Sequence, residues 1–279
     1  MTLGRRDDDG GEEIARSARM RRPYFAAEVR RTAAVARGEE RTLDLVHGTE
    51  RLPASFLVPA GAPPAPAALL LHGFGSSKER MTQSVGRALL GRGVASLAVD
   101  LPFHGERGGS RDALPYRNPL ALVNAWRSAV REARAAVEWL TAQPEIDDAR
   151  IGVVGYSLGG FLALMTASEE RRVRVIALAA AGDLPEGTPY AAFVRRAVDP
   201  LRAARKLGGR PLLLVNGRRD TTTRPAQAER LFAFAEEPKQ LVWYEGGHWP
   251  PPSAIEDAAE WTATRLRAIA HHSGRLQAG

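Results

Sequence analysis

The sequence predicts an α/β fold with one mostly parallel central sheet flanked by helices. Short apolar runs alternate along the chain with longer segments of helical periodicity, which is the order expected of β-α-β units. Most of the apolar runs are continuous, so they suit parallel strands buried on both faces. Hydrophobic residues make up 44% of the 279 residues and charged residues 25%, and we therefore expect one main globular domain.

Eight runs of residues are the predicted strands. The first two flank a turn at His47 and Gly48, and they contain enough β-branched and apolar residues for an opening hairpin. A proline-rich loop follows, and the later runs are separated by segments long enough for helices. In chain order the predicted strands are 41–46, 52–58, 67–71, 94–99, 151–154, 173–180, 211–215 and 240–244.

Helical periodicity is clearest between the fourth and fifth predicted strands. Apolar residues recur there at alternating steps of three and four, which places one apolar stripe on the side of a helix that faces the sheet. The stripe consists of Val123, Trp126, Val130, Ala133, Val137 and Leu140. Residues 255–269 show similar spacing and predict a last helix.

Two segments outside the regular alternation have their own predictions. Residues 1–37 are expected to be a charged tail followed by a helical extension, with a helix from Glu12 to Arg37 interrupted at Pro23. Residues 38–279 then form the main domain. Within it, segment 183–207 lies between two predicted strands and is long enough for a small cap but not for a second domain.

Charge and composition exclude several classes of protein. Lys and Arg outnumber Asp and Glu by 39 to 32, but the arginines are scattered rather than clustered beside a nucleic-acid motif, so we expect no nucleic-acid partner. The absence of cysteine excludes disulfides, thiolate metal sites and a cysteine nucleophile.

No apolar run approaches the roughly 20 residues of a membrane span, and no signal peptide is apparent, so we expect a cytoplasmic protein. The sequence does not indicate an oligomeric state.

The segment Gly155-Tyr156-Ser157-Leu158-Gly159 follows a predicted strand and precedes a helical stretch of small residues. A serine on such a tight turn projects its hydroxyl above the sheet, and the flanking glycines relieve crowding. The new helix directs its N-terminus at the site, so the Leu158 amide can point at a developing oxyanion. This pattern predicts Ser157 as a nucleophile.

A serine hydroxyl becomes a good nucleophile only when a base removes its proton, and the base needs a carboxylate to orient it. Asp220 follows the predicted strand 211–215, and His248 follows the predicted strand 240–244. The three candidates follow one another in the chain order Ser, Asp, His. Asp183 is the alternative acid.

Other polar residues near strand ends have structural predictions. The glycine-rich turn after strand 67–71 lets a second amide, that of Phe74, reach the same oxyanion, while His72 is expected to brace this loop. Asp100 and His104 are expected to order a loop near the mouth of the pocket. The remaining histidines, His47, His271 and His272, follow no strand that would aim them at the nucleophile.

Taken together, these segments resemble the α/β-hydrolase superfamily, and within it the esterases similar to dienelactone hydrolase. The resemblance extends from Leu52 to the final helix and is carried by LLLHGFGSSKER, AVDLPFHGER, IGVVGYSLGG, PLLLVNGRRDTTTRP and YEGGHWP. It implies an α/β-hydrolase fold in which Ser157, Asp220 and His248 form a catalytic triad and the amides of Phe74 and Leu158 form the oxyanion hole. Dienelactone hydrolase itself uses a cysteine nucleophile, so the serine favours ordinary esters.

The resemblance therefore implies a serine hydrolase that cleaves carboxylic esters through an acyl-enzyme, with a small-molecule ester as its partner and no metal or organic cofactor. A compact cap favours short to medium acyl chains. The residues expected to bind substrate are Tyr156, Phe103, Tyr190, Phe193 and Trp249. Alternatives on the same fold are a peptidase, a thioesterase and a cofactor-free haloperoxidase, and a further alternative is a ligand-binding protein without catalytic activity.

Overall fold

The computed structural model describes residues 23–61, 63–108, 118–184 and 191–270. Within these ranges, nine strands form one sheet in the order β1-β2-β3-β5-β4-β6-β7-β8-β9. The strands are Ala26–Val35 (β1), Gly38–His47 (β2), Glu50–Pro59 (β3), Ala65–Leu71 (β4), Ala95–Val99 (β5), Ile146–Tyr156 (β6), Val173–Ala179 (β7), Leu212–Gly217 (β8) and Lys239–Tyr244 (β9). The pairs β1·β2, β2·β3 and β3·β5 are antiparallel, and the pairs from β5 across to β9 are parallel. The predicted fold class is confirmed.

Helices cover both faces of this sheet. Those of the described residues are Lys78–Met81 (α1), Arg87–Leu90 (α2), Pro119–Thr141 (α3), Leu158–Glu169 (α4), Ala191–Ala197 (α5), Pro200–Arg205 (α6), Pro225–Phe234 (α7) and Pro252–Arg267 (α8). A π-helical turn, Thr82–Gly86, joins α1 to α2, and a 3₁₀ turn, Gly105–Arg107, follows β5. None of the described helices is both long and apolar enough to cross a membrane.

Successive residues of the central strands point to opposite faces of the sheet. In β4, Leu69 and Leu71 belong to a hydrophobic cluster that includes residues of α3 and α4, while Ala68 and Leu70 belong to a second cluster that includes residues of α2 and α8. All four side chains are fully buried. Burial on both faces explains why these strands appear in the sequence as continuous apolar runs.

Each of the eight predicted strands overlaps one of the strands β2 to β9, and the two predicted helices correspond to α3 and α8. The longest of these helices, α3, begins at a proline. Asn118 caps it by accepting hydrogen bonds from the amides of Leu120 at 3.0 Å and Ala121 at 3.2 Å.

The prediction of a helix from Glu12 to Arg37 is wrong for residues 26–35, which form β1. The alanine-rich composition favours a helix, but a turn in which Arg37 has a φ of 69° joins this segment to β2 as an antiparallel hairpin. Arg30 secures the strand through ion pairs with Asp44 at 3.2 Å and Glu106 at 2.6 Å. Tertiary pairing therefore overrides local propensity here. Residues 1–22 of the predicted extension lie outside the described residues.

Helices α5 and α6 occupy the segment predicted as a small cap, of which residues 185–190 lie outside the described part of the chain. Val194, Val198 and Leu201 are buried in the same hydrophobic cluster as residues of α3 and α4. The two described helices of this segment thus pack directly on the main body of the fold.

Candidate active site

Ser157 stands at the sharp turn between β6 and α4. Its backbone has φ 53° and ψ −116°, a conformation that costs on the order of 1–3 kcal/mol for a residue with a side chain. The flanking glycines let the helix approach the sheet closely. A Cβ atom on Gly155 would lie 2.3 Å from the carbonyl oxygen of Gly159, and one on Gly159 would lie 2.0 Å from that of Leu71. No other residue fits either position without moving the backbone.

Three polar side chains from the ends of different strands converge at this turn. Nδ1 of His248 lies 2.8 Å from Oδ2 of Asp220, and Nε2 of His248 lies 2.9 Å from Oγ of Ser157. Because a carboxylate only accepts hydrogen bonds, Nδ1 carries the proton and donates to Asp220. Nε2 is then free to accept the hydroxyl proton of Ser157. This is the geometry that a nucleophile, a base and an orienting acid require.

Asp220 is held from two directions. Its Oδ1 atom accepts hydrogen bonds from the amides of Thr222 at 2.8 Å and Thr223 at 3.0 Å, while Oδ2 faces His248. The hydroxyl of Thr223 donates to the carbonyl of Ala180 at 2.9 Å and so ties this loop to the end of β7. The carboxylate is buried, with 3% of the residue exposed. Its orientation is therefore fixed independently of the histidine.

The carboxylate of Asp183, the alternative acid, forms ion pairs with arginines. Its two oxygens accept hydrogen bonds from the guanidinium of Arg195 at 2.9 Å and 2.8 Å, and Arg230 lies 3.4 Å away. Its Oδ1 atom also accepts from the amide of Leu184 at 2.8 Å. The structure thus gives the contact with His248 to Asp220 and not to Asp183.

Two tyrosines secure the loop that carries His248. The hydroxyl of Tyr156 donates to the carbonyl of His248 at 3.3 Å, and the hydroxyl of Tyr244 donates to the carbonyl of Gly247 at 3.0 Å. Burial raises the pKa of both phenols, that of Tyr244 to about 12. Both hydroxyls therefore keep their protons at neutral pH and remain donors.

The two expected oxyanion donors adjoin Ser157. Leu158 is the first residue of α4, so its amide has no acceptor within the helix. Phe74 follows the end of β4 and lines the same cavity as Ser157 and Leu158. A Cβ atom on Gly73 would lie 2.7 Å from the ring of Tyr156, so glycine is needed for this loop to approach the turn.

His72 braces the same loop, as expected. Its Nδ1–H donates to the carbonyl of Gly73 at 2.8 Å, and its Nε2 accepts from the amide of Leu101 at 3.0 Å. Burial lowers the pKa of His72 to about 4, so the ring is neutral at physiological pH. Its two nitrogens join the loop after β4 to the loop after β5.

Asp100 and His104 order the loop after β5, again as expected. Oδ1 of Asp100 accepts from the amide of Lys78 at 2.8 Å, and Oδ2 accepts from the amide of Glu106 at 2.9 Å. A ring nitrogen of His104 lies 2.8 Å from the carbonyl of Pro102. His47 stacks on Tyr24 in the hairpin, and His271 and His272 lie outside the described residues.

A cavity of about 470 Å³ opens at Ser157. Its apolar lining includes Phe74, Trp126, Leu158, Phe161 and Leu184, and its polar lining includes Asp183, Thr222, Thr223 and Gln227. The rings of Trp126 and Phe161 lie 4.9 Å apart. The sequence predicts Trp126 in a stripe that faces the sheet, and it gives no prediction for Phe161. The spacing of four residues from Ser157 to Phe161, one helical turn, is a signal that could have found the latter.

The described residues that were expected to bind substrate do not line the cavity at Ser157. Tyr156 and Trp249 line a second cavity, because Tyr156 packs against the cluster on the face of the sheet that α2 and α8 cover. Phe103 borders a small apolar space beside Trp126 and Leu158. Phe193 lies on α5, is 40% exposed and is not among the described residues lining the cavity at Ser157. Tyr190 lies outside the described residues.

The chain matches the alpha/beta hydrolase family over residues 68–270, which include every side chain of the site described above. It belongs to this family. The matched α/β hydrolase region begins in β4 and ends after α8. Among the described residues, no three His, Cys, Asp or Glu side chains form a group that could hold a metal ion.

This α/β hydrolase is also similar to individual proteins. The Mycobacterium tuberculosis protein Rv2307c is 29% identical over 193 residues, which cover 67% of this chain and 64% of that protein. The chain spans between 50% and 64% of the length of the first curated relatives it matches. Acetyl xylan esterase 1 from Thermoanaerobacterium sp. JW/SL YS485 superposes with a TM-score of 0.70 at 17% identity, covering 92% of this chain and 94% of its own.

A third similar protein is a dienelactone hydrolase from Anabaena variabilis ATCC 29413. It superposes with a TM-score of 0.63 at 22% identity, covering 84% of this chain and 99% of its own. At these identities the two structural likenesses show a shared fold.

Proposed function

We propose that this α/β hydrolase is a serine hydrolase that cleaves carboxylic esters of short to medium acyl chain. Ser157 is the nucleophile, His248 the general base and acid, and Asp220 the residue that orients the histidine. The observation that carries this proposal is the pair of hydrogen bonds, 2.9 Å and 2.8 Å long, that joins the three side chains through the two nitrogens of one imidazole.

The catalytic cycle uses only groups of the chain and water. His248 removes the proton of Ser157 as Oγ attacks the acyl carbonyl, and Asp220 stabilises the resulting imidazolium. The amides of Phe74 and Leu158 hold the negative oxygen of the tetrahedral intermediate. His248 then protonates the leaving alcohol, which departs and leaves an acyl-enzyme. Water, activated by the same histidine, attacks the acyl group and releases the acid.

The acyl preference follows from the size and lining of the cavity at Ser157. At about 470 Å³ it is near the lower end of the range for small-molecule sites. Trp126 and Phe161 place aromatic rings in it, and Leu184 adds apolar surface. Two proteins of similar fold are an acetyl xylan esterase and a dienelactone hydrolase, which is consistent with ester chemistry on this scaffold.

A substrate panel tests the proposed function. Purified full-length protein is given p-nitrophenyl esters from acetate to palmitate, an acyl thioester and an aminoacyl amide. We expect turnover of the esters with a maximum at short or medium chains. Rates that climb steadily with chain length would contradict the proposed chain preference, and faster turnover of the thioester or the amide would favour a thioesterase or a peptidase.

A fluorophosphonate probe tests the nucleophile and the alternative of a non-catalytic binding protein. The probe is expected to label Ser157, located by peptide mass spectrometry, and labelling is expected to be absent in Ser157→Ala. Ser168→Ala is the matched control, because its hydroxyl lies at the other end of α4 and donates to the carbonyl of Met165. A folded wild-type protein that takes up no probe at neutral pH would overturn the proposed function.

A further inference from the structure

A second cavity, of about 350 Å³, lies beside the loop that carries His248. Its apolar lining comes from the ends of β6, β7 and β8, from α1 and the π-helical turn that follows it, and from the start of α8. The strands supply Val154, Ala179 and Val215, α1 and the π-helical turn supply Met81 and Val85, and α8 supplies Ala254, Ile255 and Ala258. These side chains are apolar, so the interior of the cavity suits a hydrocarbon group.

The rim of this cavity combines an exposed aromatic ring with a cation. Trp249 is 60% exposed, and the guanidinium of Arg80 lies over its ring, 5.7 Å from the ring centroid. Among the described residues no carboxylate forms an ion pair with Arg80. The nearest acid in the chain, Glu79, pairs with Lys78 instead. The guanidinium therefore keeps donors available for an anion.

We propose that this cavity binds an amphiphilic carboxylate of medium chain length, such as a fatty acid, with its hydrocarbon tail among the apolar side chains and its carboxylate on Arg80. The tail is stabilised by removal of its apolar surface from water. The carboxylate is recognised by charge-assisted hydrogen bonds, which the planar guanidinium can donate in pairs.

The proposed site is separate from the catalytic cavity but touches the same loop. Tyr156 and Trp249 stack with centroids 5.1 Å apart, and the hydroxyl of Tyr156 donates to the carbonyl of His248. Ser157 itself lines only the catalytic one of these two cavities. A ligand in the second cavity therefore contacts Tyr156 and Trp249, the chain neighbours of Ser157 and His248, without contacting Ser157. Binding there does not depend on the proposed hydrolytic activity.

Calorimetric titration of the full chain with decanoate, below its micelle concentration and at neutral pH, tests this inference. We expect saturable binding of one decanoate per chain. Arg80→Gln is expected to weaken decanoate roughly tenfold, because a charge-assisted interaction is lost. Decanol, which lacks the charge, is expected to bind the wild type and Arg80→Gln equally. Arg265→Gln is the matched control, since Arg265 also stacks on a tryptophan, Trp261, at 5.4 Å.

Two further variants locate the binding site. Ala258→Phe is expected to fill the second cavity and abolish binding of both decanoate and decanol, while Ser157→Ala is expected to leave both affinities unchanged. Thermal unfolding of each variant checks that it is folded. Absence of decanoate binding to the wild type, or equal affinity in Arg80→Gln, would overturn the proposal. Loss of binding in Ser157→Ala would also overturn it, because the ligand would then occupy the catalytic cavity.

Discussion

Asp220 and His248 are joined by a hydrogen bond of 2.8 Å in which only one carboxylate oxygen takes part. The other oxygen is already occupied by the amides of Thr222 and Thr223. The carboxylate cannot rotate without losing these contacts, so it presents Oδ2 to the imidazole in one orientation. This relationship decides which tautomer of the histidine faces Ser157.

Asp220→Asn is expected to reduce kcat by about 10⁴-fold, since the amide neither stabilises the imidazolium nor enforces the reactive tautomer. Asp183→Asn is the matched control. It is expected to retain kcat within about threefold and to lower thermal stability, because Arg195 and Arg230 lose a buried acidic partner. Ester hydrolysis and thermal unfolding of both variants check this. An exchange of the two outcomes would reassign the acid to Asp183.

Ser157→Ala is expected to reduce ester hydrolysis by 10⁴-fold or more, on the order seen when a nucleophile is removed. The fold is expected to persist, because the hydroxyl of Ser157 makes a hydrogen bond to His248 and does not cap α4. Active-site titration with a burst-forming p-nitrophenyl ester measures both the rate and the acyl-enzyme. A burst retained in this variant would show that another residue is acylated.

Because of His72, the free energy of unfolding is expected to fall as the pH is lowered. Its pKa is about 4 in the folded protein and 6.5 in the unfolded chain, so the unfolded state alone gains a proton as the pH drops through that window. The free energy of unfolding is therefore expected to decrease between pH 6.5 and 4 and to be unaffected by this group above it. At pH 5 the loss from His72 is about 2 kcal/mol.

Urea unfolding at pH 7.5 and pH 5.0, in the wild type and in His72→Gln, measures this effect. The variant is expected to be less stable at pH 7.5, because it loses the bridge between Gly73 and Leu101, yet to change less with pH. The same change in both proteins would mean that His72 is not kept neutral by the fold.

Trp126→Ala is expected to enlarge the cavity at Ser157 and to move the preference towards longer acyl chains. The ratio of kcat/KM for octanoate and acetate esters is expected to rise roughly tenfold, since a methylene in an apolar pocket is worth about 1–3 kcal/mol. Trp243→Ala, in β9, removes an indole that does not line this cavity and is the control. An unchanged ratio in Trp126→Ala would place the acyl chain elsewhere.

Much of the sheet was predictable because burial on both faces leaves a distinct pattern in the sequence. The strands β4 to β8 contain such runs, and the convergence of Ser157, Asp220 and His248 follows from parallel strands whose carboxyl ends share one edge. The first strand was not predictable in this way. Eight of its ten residues are exposed, so it lacks an apolar run, and one of the two acids that pair with Arg30, Glu106, lies 76 residues along the chain.

The aromatic lining of the site was harder to predict for a different reason. Tyr156 and Trp249 adjoin Ser157 and His248 in the sequence, yet both line the other cavity. Tyr156 ends β6, and successive residues of a strand point to opposite faces. Trp126 and Phe161 belong to two different helices that meet only in the folded protein. Their pairing depends on how α3 and α4 pack, which no local pattern encodes.

The two amide hydrogen bonds that hold Asp220 have a consequence for how the lining of the cavity at Ser157 can vary. The donors from Thr222 and Thr223 are main-chain amides, which every residue except proline provides. Both threonine side chains border the cavity at Ser157, but the hydroxyl of Thr223 also ties the loop to Ala180. Thr222 can therefore be exchanged for a larger, smaller or charged residue while both amides stay in place, so the lining of the cavity can vary without a change in the contact between Asp220 and His248.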